Sequence, residues 1–260
     1  MIDIGANLAH DSFDHDRHEV LARAAEAGVS RIVITGSCAS SSHAALELAR
    51  TRPGELFSTA GVHPHHAKDW AAADPDWVRS LAANPEVVAI GECGLDFYRN
   101  FSSPEDQERA FRAQLELAVE TALPVFLHQR DAHERFRAIL ADYVDKLPRA
   151  VAHCFTGNQR ELDDYLDMGL YIGITGWICD ERRGHHLREV VPMIPGDRLL
   201  LETDSPYLLP RDIDPKPTSR RNEPMYLLHV AESVAQCTGE SLEEMADRTT
   251  RNAGRFFSIT

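Results

Sequence analysis

What this chain lacks is informative. No run approaches the roughly 18 to 20 consecutive apolar positions that a membrane span requires, so no membrane-spanning segment is expected. The opening MIDIGANLAHD lacks the basic start and long apolar stretch of a signal peptide. Cysteine is scarce and scattered: Cys38, Cys93, Cys154, Cys179 and Cys237 are odd in number and show no C-x-x-C spacing. That argues against a disulfide framework and a structural zinc knuckle, and a reducing, cytoplasmic setting is expected. Positive charge is also short, 27 Lys and Arg against 41 Asp and Glu, for a net −14. Bulk charge alone therefore does not suggest a nucleic-acid binder, because phosphate affinity usually begins with basic surface. A polyanionic substrate would need local compensation from a bound metal or a cluster of arginines. Low-complexity tracts and Gly/Ser linkers are missing too, and 260 residues is near the size of one (β/α)8 barrel. A single domain over residues 1–260 is expected.

What is present is a repeated unit: a short apolar run, a polar loop, then an amphipathic segment. Eight runs read as strands, at Ile2–Gly5, Arg31–Thr35, Phe57–Val62, Val87–Glu92, Val125–His128, Ala150–Cys154, Tyr171–Thr175 and Arg198–Glu202. They are continuously apolar, as strands buried on both faces are. Between them Phe111, Leu115, Ala118 and Ala122 mark one face of a helix that Ser103 caps and Pro104 opens. Gln129-Arg130-Asp131 is expected to open the following helix. Ser241 and Glu244 form a capping box before a terminal helix expected to cover the barrel. Eight strands alternating with helices give an α/β fold, a TIM (β/α)8 barrel. The rival is an open doubly wound sheet, weakened because no Gly-rich phosphate fingerprint follows the first strand.

Metal-ligand side chains sit where strand after strand ends. GVHPHH ends a run at His63, AIGECGLD at Glu92, PVFLH at His128, AVAHC at His153 and LLLETD at Asp204. A carboxylate at the inner end of a buried strand is costly unless paired or metal-bound, and glycines flank Glu92. A lone strand-end histidine is usually a satisfied core residue. Two on consecutive strands after a strand-end glutamate reverse that preference, so Glu92, His128 and His153 read as metal ligands. Asp204 can ligate a metal and deprotonate water, or cap the turn at Ser205-Pro206. Glu202 could be the ligand instead, and Asp96 a supporting partner or a loop cap; both alternatives stay open. His63 and His65 could meet a phosphate or a metal. Arg182, Arg183, Arg211, Lys216, Arg220 and Arg221 gather in the last loops, where guanidinium forks suit phosphate oxygens or simply pair with neighbouring acids. Trp177, Tyr207 or Phe97 could stack a base.

Taken together, GVHPH, VAIGECGLDF, PVFLHQRDA, HCFTG, YIGITGW, ETDSPYLLPR and KPTSRRNEP resemble the TatD family of metal-dependent nucleases, in unbroken order from Asp3 to Phe257. The resemblance implies a barrel of the metal-dependent hydrolase type that cleaves DNA. It implies Glu92, His128, His153 and Asp204 as metal ligands, Asp204 also handling the attacking water, and places His63 and His65 near the scissile phosphate. One motif departs. Most of the family carries D-x-H-x-H on the first strand, whereas here Gly5 and Asn7 stand at the two histidine positions. That variant resembles the branch associated with 3′-to-5′ exonuclease action on single-stranded DNA and RNA, with a role in DNA repair or degradation. Losing two imidazoles shifts the ligand set toward oxygen, so Mg2+ is expected ahead of Mn2+ or Zn2+. The rivals are an amide or ester hydrolase of the same barrel group, which commonly needs the missing histidine pair, and a non-catalytic nucleic-acid-binding barrel. Composition and motifs leave the oligomeric state open.

Overall fold

The structure is a computed structural model that describes residues 1–70 and 76–259. All eight expected strands form: β1 (Ile2–Ala6), β2 (Arg31–Ile34), β3 (Leu56–Ala60), β4 (Val87–Asp96), β5 (Val125–Arg130), β6 (Ala150–Ala152), β7 (Tyr171–Ile174) and β8 (Leu199–Leu201). The helices are α1 (Arg17–Glu26), α2 (Ala39–Arg50), α3 (Asp76–Ala82), α4 (Pro104–Thr121), α5 (His133–Leu140), α6 (Gln159–Asp167), α7 (His185–Val190), α8 (Leu227–Thr238) and α9 (Leu242–Phe257). The strands make one sheet in the order β1 to β8, and the registers of β3–β4, β4–β5, β5–β6 and β7–β8 are parallel. The Asp204 N–H donates to Gly5 O (2.8 Å) and the Asn7 N–H to Ser205 O (2.7 Å), which ties the segment after β8 back to β1. Sequential parallel order with the last strand returning to the first is the (β/α)8 barrel, not the doubly wound sheet. By internal contacts the chain divides into two compact units.

The unit formed by Ile34–His153 and Asp164–Tyr171 carries β3 to β6. Its longest strand, β4, is buried along all ten residues. Gly91 and Gly94 let β5 approach: a Cβ at Gly91 would meet Phe126 O at 2.3 Å, and one at Gly94 would meet His128 O at 1.9 Å. Both adopt positive φ, 123° and 144°, which only glycine tolerates readily. The β4–β5 register shifts between Gly91 and Cys93, so Glu92 sits at the bulge, a device that re-aims a side chain. Helix α4 starts as expected, with Ser103 Oγ accepting the Asp106 N–H (3.2 Å). Phe111, Leu115 and Ala118 form its buried stripe. Ala122 does not continue it. The helix has already ended, and Ala122 is exposed in the left-handed region at φ 54°, because Leu123-Pro124 cannot extend a helix. Gln129 and Arg130 also differ from expectation: they prolong β5, paired with Leu95 and Asp96 of the long β4, and the helix begins only at His133.

The other unit, Met1–Val33, Cys154–Asp163 and Ile172–Thr260, carries β1, β8 and most of β7. Helix α9 packs on β1, β8 and α8. Its capping box is formed as read from sequence, Glu244 N–H to Ser241 Oγ (3.2 Å) and Ser241 N–H to Glu244 Oε2 (3.0 Å). Among the described residues no helix is long and apolar enough to cross a membrane.

Candidate active site

In the first of these units, three imidazoles converge on one carboxylate oxygen. Glu92 Oε1 lies 2.9 Å from His128 Nδ1, 2.8 Å from His153 Nε2 and 3.4 Å from His63 Nε2. Each histidine is placed by backbone: His128 stands on β5 beside the Gly94 approach, the His153 N–H donates to Leu127 O (2.9 Å), and the His63 N–H to Ser37 O (2.9 Å). Burial works to raise the Glu92 pKa, but the charge of His153 and the hydrogen bonds from His128 and His153 outweigh it and hold the carboxyl well below its ordinary range. Glu92 is therefore a buried anion. His128 is also shifted: burial would lower its pKa, yet Asp96 and Glu92 raise it. The cluster favours positive charge, which is what a cation site requires.

His63 has a different role from the other two. Its Nδ1 accepts the His65 N–H (3.0 Å), so in the neutral ring the proton sits on Nε2. Burial pushes its pKa well down, which keeps the ring neutral. His63 therefore presents an N–H at Nε2, suited to donate to an oxygen. His65 is held through Nε2 by Asp96 Oδ2 (2.7 Å). Asp96 is both the partner and the cap left open above, since its Oδ1 accepts the N–H groups of Tyr98 (3.0 Å) and Arg99 (2.8 Å). Burial works against the Asp96 charge, but the nearby His128 imidazole, 3.8 Å away, and hydrogen bonds from His65 and the Arg99 N–H hold its pKa far below the usual value.

These residues fit a divalent cation. The donor atoms of Glu92 and His128 lie within 4.8 Å of one another and of a His63 ring nitrogen. His153 Nε2, 2.8 Å from the same Glu92 oxygen, adds a further nitrogen. The buried Nε2 of His128 has no hydrogen-bond partner among the described residues, an orphaned lone-pair site of the kind a metal ligand leaves. Nitrogen with one carboxylate is a donor set for a first-row divalent ion.

The other unit holds Asp204, at positive φ (53°) just past β8. Its Oδ1 accepts from Asn7 Nδ2 (3.1 Å), so the residue standing in place of a first-strand histidine turns its amide N–H₂ to the aspartate. Glu202, the alternative left open from spacing, is fully buried and accepts the backbone N–H of Cys154. Asp3 binds β1 to the segment after β8: its Oδ2 accepts the Thr203 hydroxyl (2.6 Å), and its Oδ1 the N–H groups of Thr203 (3.0 Å) and Gly5 (3.2 Å). Burial pushes the Asp3 carboxyl up to about 7, with the Thr203 bonds opposing.

The late arginines divide into two sets. Arg182, Arg183 and Arg211 gather round one buried carboxylate, Asp180, at 3.4, 3.2 and 3.9 Å. They remain about half exposed, and Arg183 also lies over the Trp177 ring at 4.4 Å. Sequence reading missed Asp180, although C-D-E-R-R-G places it two residues before the pair. Arg221 is committed elsewhere, to Asp16 and to Glu223 Oε1 (2.9 Å) and Ser12 O, while Arg220 is exposed. Nearby, Cys179, Asp212 and His229 form another group of candidate donors, with His229 Nε2 at 2.7 Å from Asp212 Oδ1. Burial pushes the Cys179 thiol up to about 12.

A (β/α)8 barrel with a buried Glu/His donor set on β4, on β5 and just after β6 defines a TIM-barrel hydrolase equipped for a divalent metal. Comparison with known proteins narrows this class. The family model described as TatD related DNase matches residues 2–258, and the chain belongs to that family. It is 58% identical over 259 residues to the 3'-5' ssDNA/RNA exonuclease TatD of Erwinia tasmaniensis, covering 100% of both chains. It is 55% identical to the protein of that name from Salmonella typhimurium, covering 100% of this chain and 99% of the relative. Among solved structures, the TatD homologue YJJV of Escherichia coli K12 superposes with a TM-score of 0.91 at 28% identity, covering 100% of this chain and 98% of the other. A β-aspartyl dipeptidase from Fervidobacterium islandicum, at 14% identity and a TM-score of 0.61, shares the fold alone.

Proposed function

We propose that this protein is a metal-dependent 3′-to-5′ exonuclease that hydrolyses phosphodiester bonds of single-stranded DNA and RNA. The observation that carries the reading is the convergence of His128 and His153 on the buried, ionised Glu92 in a chain of a DNase family. Glu92, His128, His153 and Asp204 would hold the divalent ion, with Mg2+, Mn2+ and Zn2+ as the candidates. When bound, the ion polarises a phosphoryl oxygen and lowers the pKa of water. Asp204, at the strand end where barrel enzymes carry catalytic groups, accepts the proton of the attacking water. His63 donates its Nε2–H to a phosphoryl oxygen, and His65, fixed by Asp96, meets the same phosphate.

Arg182, Arg183 and Arg211 grip the strand backbone, with Arg220 at the rim. Phosphate sites in barrels of this type are often built from the loops after strands seven and eight, where these residues lie. Because Arg221 is already paired, it contributes to the grip mainly by holding its loop. The family match over residues 2–258 supports one domain. Cytoplasmic location and a role in DNA repair or degradation belong to the same reading, and five free thiols accord with a reducing compartment.

The test uses 3′- and 5′-labelled single-stranded DNA and RNA with metal-stripped protein given each ion in turn. A mononucleotide ladder from the 3′ end, lost with chelator, Glu92→Ala and Asp204→Asn, is the expected result. Absence of cleavage with every ion, or cleavage that both substitutions leave intact, overturns the reading.

A further inference from the structure

The turn after β4 carries two exposed aromatic side chains, Tyr98 and Phe101, 58% and 57% exposed. Rings of this size are ordinarily drawn under cover by the hydrophobic effect, yet the turn that displays them is well fixed. Asp96 Oδ1 accepts the Tyr98 and Arg99 N–H groups, and Asn100 Nδ2 donates to Phe97 O (2.7 Å). The buried Ser102 hydroxyl donates to His65 O (3.1 Å) and accepts the Lys68 N–H (3.0 Å). Through its other oxygen the same Asp96 holds His65. One carboxylate thus fixes both a site histidine and the aromatic turn. The Phe101 ring stands edge-on to His65 with centroids 4.7 Å apart, and the Arg130 guanidinium lies over the Tyr98 ring at 4.1 Å.

We propose that Tyr98 and Phe101 form a stacking platform for an unpaired nucleobase of the substrate, with Arg130 and His65 meeting the adjoining phosphate. The proposal rests on the nuclease reading and adds how a single strand is selected. Every base has a π-face, so stacking on aromatic rings is indifferent to sequence. A base in a duplex is already stacked and paired, and reaches such a platform only after melting. Arginine over tyrosine supplies the positive charge that an otherwise acidic chain must provide locally. Of the aromatics expected from sequence, Trp177 and Phe97 are only partly exposed, and Tyr207 is exposed but lies on the turn after β8, apart in sequence from the Asp96 turn that holds His65.

The test compares wild type with Tyr98→Ala/Phe101→Ala on a single-stranded oligodeoxynucleotide and on the same strand with abasic residues at its 3′ end. On the normal strand the double variant is expected to raise KM about tenfold with kcat little changed. On the abasic strand wild type itself is expected to show the raised KM, and the double variant to add no further difference. Tyr98→Phe and Phe101→Trp, which keep the rings, retain the wild-type KM. An equal loss on both strands, or no loss on either, overturns the platform while leaving the nuclease reading in place. Wild type that cuts neither strand overturns both.

Discussion

Two glutamates are buried in this protein, Glu92 at the bulge within β4 and Glu202 just after β8, and they face different partners. Glu92 at the β4 bulge receives imidazoles from His128, His153 and His63. Glu202 after β8 receives a backbone N–H from Cys154. A peptide N–H cannot bind a metal or move a proton at ordinary pH, whereas an imidazole can do either. Burial alone therefore does not make a carboxylate a metal ligand; imidazoles gathered on one oxygen, as on Glu92, are what favour that role. The arginines repeat the lesson within one unit, since Arg182 and Arg183 stay half exposed on Asp180 while Arg221 is consumed by Asp16 and Glu223.

The sharpest way to break the first comparison is to neutralise each glutamate. Glu92→Gln is expected to lower kcat by roughly a thousandfold or more, as removal of a metal-polarising group does, while the thermal unfolding midpoint stays close to wild type. Glu202→Gln keeps a carbonyl oxygen for the Cys154 N–H and is expected to hold kcat within about tenfold, whereas Glu202→Ala loses about 1–3 kcal/mol of stability. Equal loss of activity from both glutamine variants would make Glu202 a member of the site and erase the distinction.

A second prediction concerns Asp3, a third buried carboxylate with yet another environment. Its pKa is raised from an unfolded value near 3.8 to about 7 in the folded protein. Between those values the folded state keeps a proton that the unfolded state has lost. The contribution of Asp3 to stability therefore falls as pH rises from about 4 to about 7, by at most ~4 kcal/mol, and is flat above. Urea unfolding across that range should show the decline in wild type and a flatter profile in Asp3→Asn. Parallel profiles would mean that Asp3 is ionised when folded, held so by the Thr203 and Gly5 donors.

The arginine comparison predicts smaller effects. Arg182→Gln/Arg183→Gln should raise KM for single-stranded DNA about tenfold and reduce the slope of log KM against log salt by roughly 0.7 for each phosphate left without its arginine. Arg221→Gln should leave that slope unchanged and lower the unfolding midpoint, because Asp16 and Glu223 lose one of the two arginines they share, Arg23 remaining. A flattened slope for Arg221→Gln would place it in the clamp with the others.

Much of this was legible in the chain. The eight apolar runs became eight strands with boundaries shifted by a few residues, because a strand buried on both faces announces itself by composition. Glu92, His128 and His153 were legible for the same reason, as polar residues ending apolar runs. The termination of α4 before Ala122 followed from Leu123-Pro124 but was hidden by a helical spacing that happened to continue. The extension of β5 through Arg130 was not legible, since it depends on β4 running on to Asp96 beside it.

Local sequence, then, determined the strands and the helix caps at Ser103 and Ser241, because periodicity and capping are short-range properties. The strand ends expected at Glu92 and His128 gave way to strands that run on to Asp96 and Arg130. Tertiary structure alone decided which side chains meet. Only the bulge at Glu92 and the close approach at Gly91 and Gly94 bring the imidazoles onto one oxygen. The tautomer of His63, the capture of three arginines by Asp180 and the display of Tyr98 and Phe101 likewise arise from interactions between segments far apart in the chain or from the shape of a turn. Spacing along a sequence carries no record of such geometry.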